Sequence, residues 1–444
     1  MARDNRHFPL LPMILLLQSP LQEVKLCIMP HGRRQVARLP AELIITIFLH
    51  SLPDNSYPSL QGDAAPLLLS HICRSWRSLA LSVSRLWSSF EIDFHNGYAT
   101  PRLEALEFWL MNSKEQPLSF DVIYEPPTHT TRRVFQDQST AFVKALLRHS
   151  SRWRDVRFVT PGASVVPLFT DPSLASGLRS LEALTLDMRG VWPSHGVALR
   201  SLGFHWSRLL ELHVRLDCQA EGLPTLDEVF HILSEGENLM ACSFNATCTF
   251  TSKPYSTRLS ITKLQRLNLT LRATSGFEAC FACFLDSLDM VALKALHIEC
   301  MDDLNGQNWN SCHSSMLSFL RSTMIRELQF YYLPLSTINI MDIIDVTPAL
   351  ECLNLKFDLG DKDGDPVNDV LFRRIKLSRT LRALDIECHG TNLNCKAVTE
   401  IVGLKTLERL YLVTLIPVCN CPAVHVENGR GRGVDVQLRH YYHY

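Results

Sequence analysis

Long hydrophobic runs are missing from this 444-residue chain. Its only membrane-like stretch is FPLLPMILLL (8–17), interrupted by Pro9 and Pro12 and about half the ~20 residues that a spanning helix needs. Arg3 and Arg6 ahead of it give it the outline of a secretory signal, but no small-x-small cleavage site follows. Residues 1–38 are therefore expected to be a poorly ordered leader. A charge excess is missing too. Lys+Arg 44 against Asp+Glu 45 leaves −1, whereas a nucleic-acid or anionic-membrane binder needs a basic surplus. Neither partner is expected. Cysteine is sparse, with 14 residues scattered from Cys27 to Cys421 and no repeating ladder. That excludes a disulfide scaffold and fits reduced thiols in an intracellular protein, cytoplasmic and/or nuclear. The 46% hydrophobic content is ample for a packed core.

The signatures of catalysis are also missing. The chain has no G-x-x-x-x-G-K-[ST], G-x-G-x-x-G or G-x-S-x-G, and its 17 histidines accompany no recognisable nucleophile elbow. Cys280 and Cys283 lie in a helical apolar pattern with no second pair, and Cys419 and Cys421 have no matching histidines; zinc needs four converging ligands. DKDGDP (361–366) imitates a calcium loop, but Pro366 takes the glycine position and Phe372 the twelfth, so it reads as a turn. Asn245-Ala-Thr247 and Asn268-Leu-Thr270 match glycosylation acceptors but start on expected strands. The expectation is a protein that is not an enzyme and holds no metal or cofactor.

What is present is a repeat. From about residue 150 an apolar residue, two others and then two apolar residues in alternation recur ten times. The copies are WRDVRF (153–158), LEALTL (181–186), LLELHV (209–214), LMACSF (239–244), LQRLNL (264–269), LKALHI (293–298), IRELQF (325–330), LECLNL (350–355), LRALDI (381–386) and LERLYL (407–412). Their starts lie 25 to 32 residues apart, about 28 on average, at the top of the leucine-rich-repeat range and slightly beyond it. The last two apolar residues of each copy share one face of a strand, and the residue between them points the other way. Between copies come helical spacings: Leu226, Val229, Phe230 and Leu233; Phe277, Phe281, Phe284 and Leu285; Met316, Phe319 and Leu320. Strand, helix and strand in one sense give a parallel ladder. The fold class expected is α/β, a curved leucine-rich-repeat-like solenoid over 91–416 with parallel strands on the concave face and helices on the convex face. The asparagine or cysteine that a regular repeat places after its strand is absent, so the units are degenerate. Residues 417–444 are expected to be a C-terminal tail.

Residues 39–90 follow another pattern. Pro40 and Glu42 suit a helix start, and Leu43, Ile44, Ile47 and Phe48 form an apolar stripe. A turn-rich loop follows, then a second helical pattern over 67–87 with Leu69, Ile72, Cys73, Trp76, Leu79 and Ala80 on one face. Helices this short would leave apolar surface bare, which marks a partner interface. Through Leu39-Pro40, Glu42-Leu43, Ile47-Phe48, Ile72-Cys73, Trp76 and Leu86-Trp87 the segment resembles an F-box, with a longer loop than the commonest form. An F-box ahead of leucine-rich-like repeats resembles the substrate-recognition subunits of SCF-type cullin–RING ubiquitin ligases. The resemblance implies docking on a Skp-type linker, and through it on the cullin scaffold, by Leu39, Pro40, Glu42, Leu43, Ile47, Phe48, Ile72, Cys73 and Trp76, which form or brace the contact. Some of these residues could equally be the core of a small helical domain. Trp87 and Phe90 lean towards packing. The competing reading is a repeat scaffold that binds partners outside ubiquitin ligation.

The residues between the apolar pairs form an outward row: Arg157, Thr185, His213, Ser243, Asn268, His297, Gln329, Asn354, Asp385 and Tyr411. Its mixed polarity suits an unidentified target protein better than nucleic acid. Aromatic groups fall late in the row, so the expected target contact is Tyr331, Asn354, Lys356, Asp385, Glu387 and Tyr411. Packing of the two tyrosines against the tail is the alternative.

Overall fold

The structure is a computed structural model that describes residues 39–54, 56–60, 64–94, 102–124, 132–161, 164–165, 168, 178–189, 199, 205–216, 222–249, 258–274, 276–302, 309–358, 365–416, 418 and 433–440. The leader, Cys419, Cys421 and most of the DKDGDP turn lie outside them. The fold is mixed α/β with a large parallel sheet. Among the described residues no helix is long and apolar enough to cross a membrane. The chain divides into two compact units, Met1–Thr128 and His129–Tyr444. The helical segment 39–90 lies in the first unit together with the strands that follow it.

The first unit holds α1 (Ala41–His50), α2 (Leu67–Ile72), α3 (Arg74–Ser82), β1 (Ser89–Asp93), α4 (Leu103–Ser113) and β2 (Leu118–Ile123). The expected continuous second helix is broken at Cys73, whose backbone is extended at φ −157°, ψ 168°. The break is stabilised locally. Cys73 Sγ accepts the Trp76 N–H at 3.5 Å, and Arg77 Nε donates across the gap to the Ser70 carbonyl at 2.8 Å, satisfying groups that helix ends leave bare. Beyond the break, the strands explain the aromatics. Phe90 of β1 stacks on Phe120 of β2 at 5.3 Å, the two being register partners. Trp87 meets Trp109 of α4 edge to face at 5.0 Å, and its Nε1–H donates to the Ala80 carbonyl at 2.9 Å. Trp87 and Phe90 are packing residues, both fully buried, and the one polar group between them, the Trp87 indole N–H, is matched.

In the second unit, α5 (Arg132–Leu147) precedes eleven parallel strands of that sheet: β3 (Trp153–Pro161), β4 (Ala183–Arg189), β5 (Glu211–Leu216), β6 (Ala241–Thr247), β8 (Arg266–Arg272), β10 (Ala295–Cys300), β11 (Glu327–Tyr331), β12 (Cys352–Lys356), β13 (Ala383–Cys388), β14 (Arg409–Thr414) and β15 (Asp435–His440). Each neighbours the next in that order, while β7 (Leu259–Ser260) and β9 (Leu288–Asp289) pair separately. All ten sequence copies coincide with strands, and their apolar pairs are buried, from Val156 and Phe158 to Leu410 and Leu412. The tail contributes an unexpected strand: β15 pairs with β14 and buries Val436.

Between strands run α6 (Leu226–Glu235), α7 (Phe277–Asp286), α8 (Asn310–Arg321), α9 (Thr337–Val346), α10 (Asp369–Ile375) and α11 (Cys395–Val402), each packed on the next. Side-chain caps start four of them. Thr225 with Glu228 and Ser336 with Asn339 form capping boxes, and Asn368 and Asn394 accept first-turn N–H groups. The expected apolar faces of α7 and α8 are buried. On α6, Ile232 takes the buried place expected of Phe230, which stays half-exposed.

Gly390, just past β13, sits at φ +88°, and a Cβ there would stand 2.9 Å from Thr414 Cβ and 3.1 Å from the Ile416 carbonyl oxygen. Its N–H donates to the Asp365 carboxylate at 2.8 Å, which ties down the one end of the DKDGDP turn that is described. Gly390→Ala is expected to cost about 1–3 kcal/mol and to lower the midpoint of thermal unfolding. An unchanged midpoint by calorimetry would show that this backbone can move aside.

Candidate functional site

Two surfaces hold the residues singled out from sequence, one in each unit. In the first unit the contact set separates into exposed and buried members. Leu43 and Ile47, one turn apart on α1, are 51% and 48% exposed, and Ile72 at the end of α2 is 52% exposed. Leu39, Pro40, Glu42 and Cys73 are also exposed. Phe48 is not: it has no exposed surface and meets Trp76 edge to face at 4.9 Å. Of the two places expected for Phe48, forming the contact or bracing it from behind, the fold gives it a core position, and half-buried Trp76 spans core and surface. The helix geometry explains this division. Leu39, Leu43 and Ile47 recur every fourth residue along one face, and Phe48 lies on the next. The expected single face does not hold: Leu69 is buried and Ile72 exposed although both lie on α2, and Cys73 begins a separate helix beyond them. Leu68, not singled out from sequence, adds 47% exposure four residues before Ile72.

In the second unit the outward row is continuous. Arg157, Thr185, His213, Ser243, Asn268, His297, Gln329, Asn354, Asp385 and Tyr411 are successive register partners, extended by Gln437. Two residues along, Glu299, Tyr331, Lys356, Glu387, Val413 and Arg439 form a parallel row. All six expected target-contact residues lie on these two rows. Their side chains are linked across strands. The Tyr331 ring lies 4.6 Å from His297 edge to face, Lys356 Nζ stands 4.5 Å over it, and its hydroxyl donates to Gln329 at 3.2 Å. Burial, with help from Glu299 and Asp385, pushes the Tyr331 phenol up to about 12, so the hydroxyl stays a donor at neutral pH.

Two expected contacts are modified. Asp385 is gripped by Arg409, whose Nε and Nη2 donate to its two oxygens at 3.1 and 2.8 Å. The acid is only 15% exposed on its side chain, so a target would meet the pair and not a free carboxylate. Arg409 was legible only as a diagonal opposite charge on the next strand. Tyr411 carries the Arg439 guanidinium 5.5 Å over its ring, so part of the tail does pack on it. Tyr331 is instead held by neighbouring strands.

Of the cysteines and asparagines passed over from sequence, Cys280 and Asn245 have structural partners. Cys280 Sγ donates to the Thr249 carbonyl at 3.4 Å, and burial raises its thiol to about 11. Asn245 is buried and donates to the Leu216 carbonyl at 2.8 Å.

His213 and His297 on the polar row both titrate below the ordinary histidine value of 6.5. Burial is the main cause, reinforced at His297 by Lys356 and Arg215 and at His213 by Arg266, while Glu211 opposes it. With the folded value depressed, the unfolded chain binds more protons, so stability is present above the ordinary value and falls as pH drops through it. Thermal midpoints measured from pH 8 to pH 5 should decline below about 6.5, less steeply in His213→Gln/His297→Gln. Identical slopes would show that these two rings do not drive the loss.

No protein-family model matches the chain, and no curated protein matches it, so its function is argued from these two surfaces.

Proposed function

We propose that this chain is a non-catalytic substrate adaptor of an SCF-type cullin–RING ubiquitin ligase. Residues 39–90 act as an F-box that docks on a Skp-type linker, and leucine-rich-repeat-like units present a protein target. The observation that carries the reading is the exposure of Leu43, Ile47 and Ile72 beside the buried Phe48–Trp76 contact. A short helix that anchors one aromatic inside and keeps two aliphatic side chains half in water has an apolar surface suited to a partner. Fully burying such a side chain from water contributes about 1.5–3 kcal/mol and these stand about half exposed, so covering each adds about half of that and a few together support a specific contact. Support for the repeat half comes from ten copies of one strand motif on laterally paired parallel strands. The target is assigned to the polar face of β10–β14, where Tyr331, Asn354 and Lys356 stand beside the Asp385–Arg409 pair. Linked donors, acceptors and an aromatic body suit a protein surface.

Co-expression of the full chain with a Skp-type linker, followed by size-exclusion chromatography, tests the first half. Leu43→Asp/Ile47→Asp should abolish co-elution and leave thermal unfolding unchanged. Phe48→Ala should instead destabilise the first unit by about 3–5 kcal/mol. Undiminished linker recovery with the double variant would refute the assignment and favour a scaffold outside ubiquitin ligation.

For the second half, Tyr331→Ala/Asn354→Ala is the cleaner probe, because Asp385→Ala would also strand Arg409. Proximity labelling with the wild type defines the captured set. The variant should lose a discrete subset while keeping the linker, and an identical set would move the target off this face.

A further inference from the structure

One step ahead of the strands of the second unit runs another lateral row: Leu210, Met240, Gln265, Lys294, Arg326. It is set by backbone bonds. Met240 N–H donates to the Leu210 carbonyl at 2.8 Å, Gln265 to Met240 at 2.8 Å, Lys294 to Gln265 at 2.9 Å and Arg326 to Lys294 at 2.7 Å. Further along, the row neutralises its cations with its own next members: Arg326 pairs with Glu351 at 3.4 Å and Arg382 with Glu408 at 3.6 Å. At its middle the row changes character. A groove of about 440 Å³ opens there, lined among others by Met240, Gln265 and Lys294 of the row and by Lys263, Val291 and Met324 of the loops entering β8, β10 and β11.

The apolar members are left in water, Met240 at 41%, Val291 at 48% and Met324 at 65% exposure. The two amines rest on amide oxygens only, Lys263 on Asn238 and Lys294 on Gln265 at 3.1 Å. Among the described residues neither meets a carboxylate. Apolar surface and uncompensated positive charge thus occupy one depression, and among the described residues no acidic side chain lines it.

We propose that this groove docks an acidic, apolar peptide segment of a partner protein, one in which large apolar side chains alternate with carboxylates. The carboxylates would meet Lys263 and Lys294, and the apolar side chains would displace water from Met240, Val291 and Met324. Flexible, polarizable methionines accept apolar side chains of different shape, so the charge pattern sets selectivity more than one anchor does. Exposed ion pairs are individually weak and screened by salt, and the contact is correspondingly modest and salt-dependent. A nucleic acid fits less well, because among the described residues two amines and no aromatic platform line the groove. The proposal does not rest on the linker assignment. Every groove residue lies in the second unit, and the test contains no linker.

The full chain, labelled with ¹³C at methionine methyls, is titrated with a fluorescein-tagged synthetic peptide of alternating Glu with Leu and Phe. Anisotropy should show saturable binding, and the Met240 and Met324 signals should shift. Lys263→Glu/Lys294→Glu should weaken binding by about tenfold or more, and Met240→Ser/Met324→Ser should weaken it as well. The distant exposed Lys405→Glu should have no effect. If the methionine variant unfolds, the charge variant alone decides. The proposal is overturned by absent binding, by equal binding of a peptide with Lys for Glu or Ser for Leu and Phe, or by affinity indifferent to the groove variants. Sedimentation showing a dimer that Lys263→Glu/Lys294→Glu dissolves would give the face to a second copy and overturn it too.

Discussion

The second unit depends on one constraint: every strand must present two apolar side chains, two residues apart, level with those of its neighbours. Because the side-chain period of a strand is two, a one-residue slip would put the buried set in water and the polar row in the core. Leu296 and Ile298 of β10 lie level with Leu328 and Phe330 of β11, and these with Leu353 and Leu355 of β12. The backbone ladder ahead of each strand, as from Arg326 to Lys294 at 2.7 Å, fixes the same register at the strand entrance. Helix positions follow. Each helix has to cover the apolar pair beneath it and the flank of the previous helix, and the caps at Thr225, Ser336, Asn368 and Asn394 say where it starts.

Once the apolar pairs are fixed, the residue between them has no choice but to face outward, and lateral repetition turns single polar residues into rows. Neighbours in a row are close enough to interact across strands. Lys356 over Tyr331, Tyr331 against His297 and Arg409 on Asp385 are consequences of register. Such a face is pre-organised: its side chains have already lost part of their rotamer freedom, so less ordering is left for a binding partner to impose. The helices of the first unit differ in kind. Leu43 and Ile47 stand about half in water, and their surface gains by being covered.

The physical origin of each feature decided whether it was legible in the sequence. Strand positions, the polar row and the buried faces of α7 and α8 follow from local periodicity, and ten repetitions raise that signal well above chance. The break at Cys73 does not follow from periodicity. No proline or glycine marks it, and its cap is a thiol where Ser, Thr, Asp or Asn would announce a helix start. Projecting 67–87 as one helix therefore ran one face through two helices, Leu67–Ile72 and Arg74–Ser82, that the break separates. Phe48 against Ile47 was undecidable from a stripe alone, since both border the apolar face and only the position of Trp76 selects the buried one. The last strand had a readable alternation in Val434, Val436 and Leu438. It lacked the leading leucine of the other copies and followed a glycine-rich run, which hid it. Of the candidate sites, the outward residues were visible and their partners were not, because Arg409 and Asp385 are 24 positions apart and meet only through register.

A parallel sheet whose strands each pair only with their immediate neighbours can carry several surfaces along its length. Along the row ahead of the strands, charge is compensated strand by strand at Arg326–Glu351 and Arg382–Glu408, and the pattern stops where Met240, Gln265 and Lys294 follow one another. Folding does not require that interruption. Glutamate in place of Gln265 would pair with Lys294, which already reaches that side chain at 3.1 Å, and would extend the same rule. Nor does the core require exposed methionine at 240 or 324, because the buried pairs Cys242–Phe244 and Leu328–Phe330 complete their strands without them. A departure that neither register nor packing demands, in a row where neighbouring positions obey both, separates the groove from the solvated edge around it.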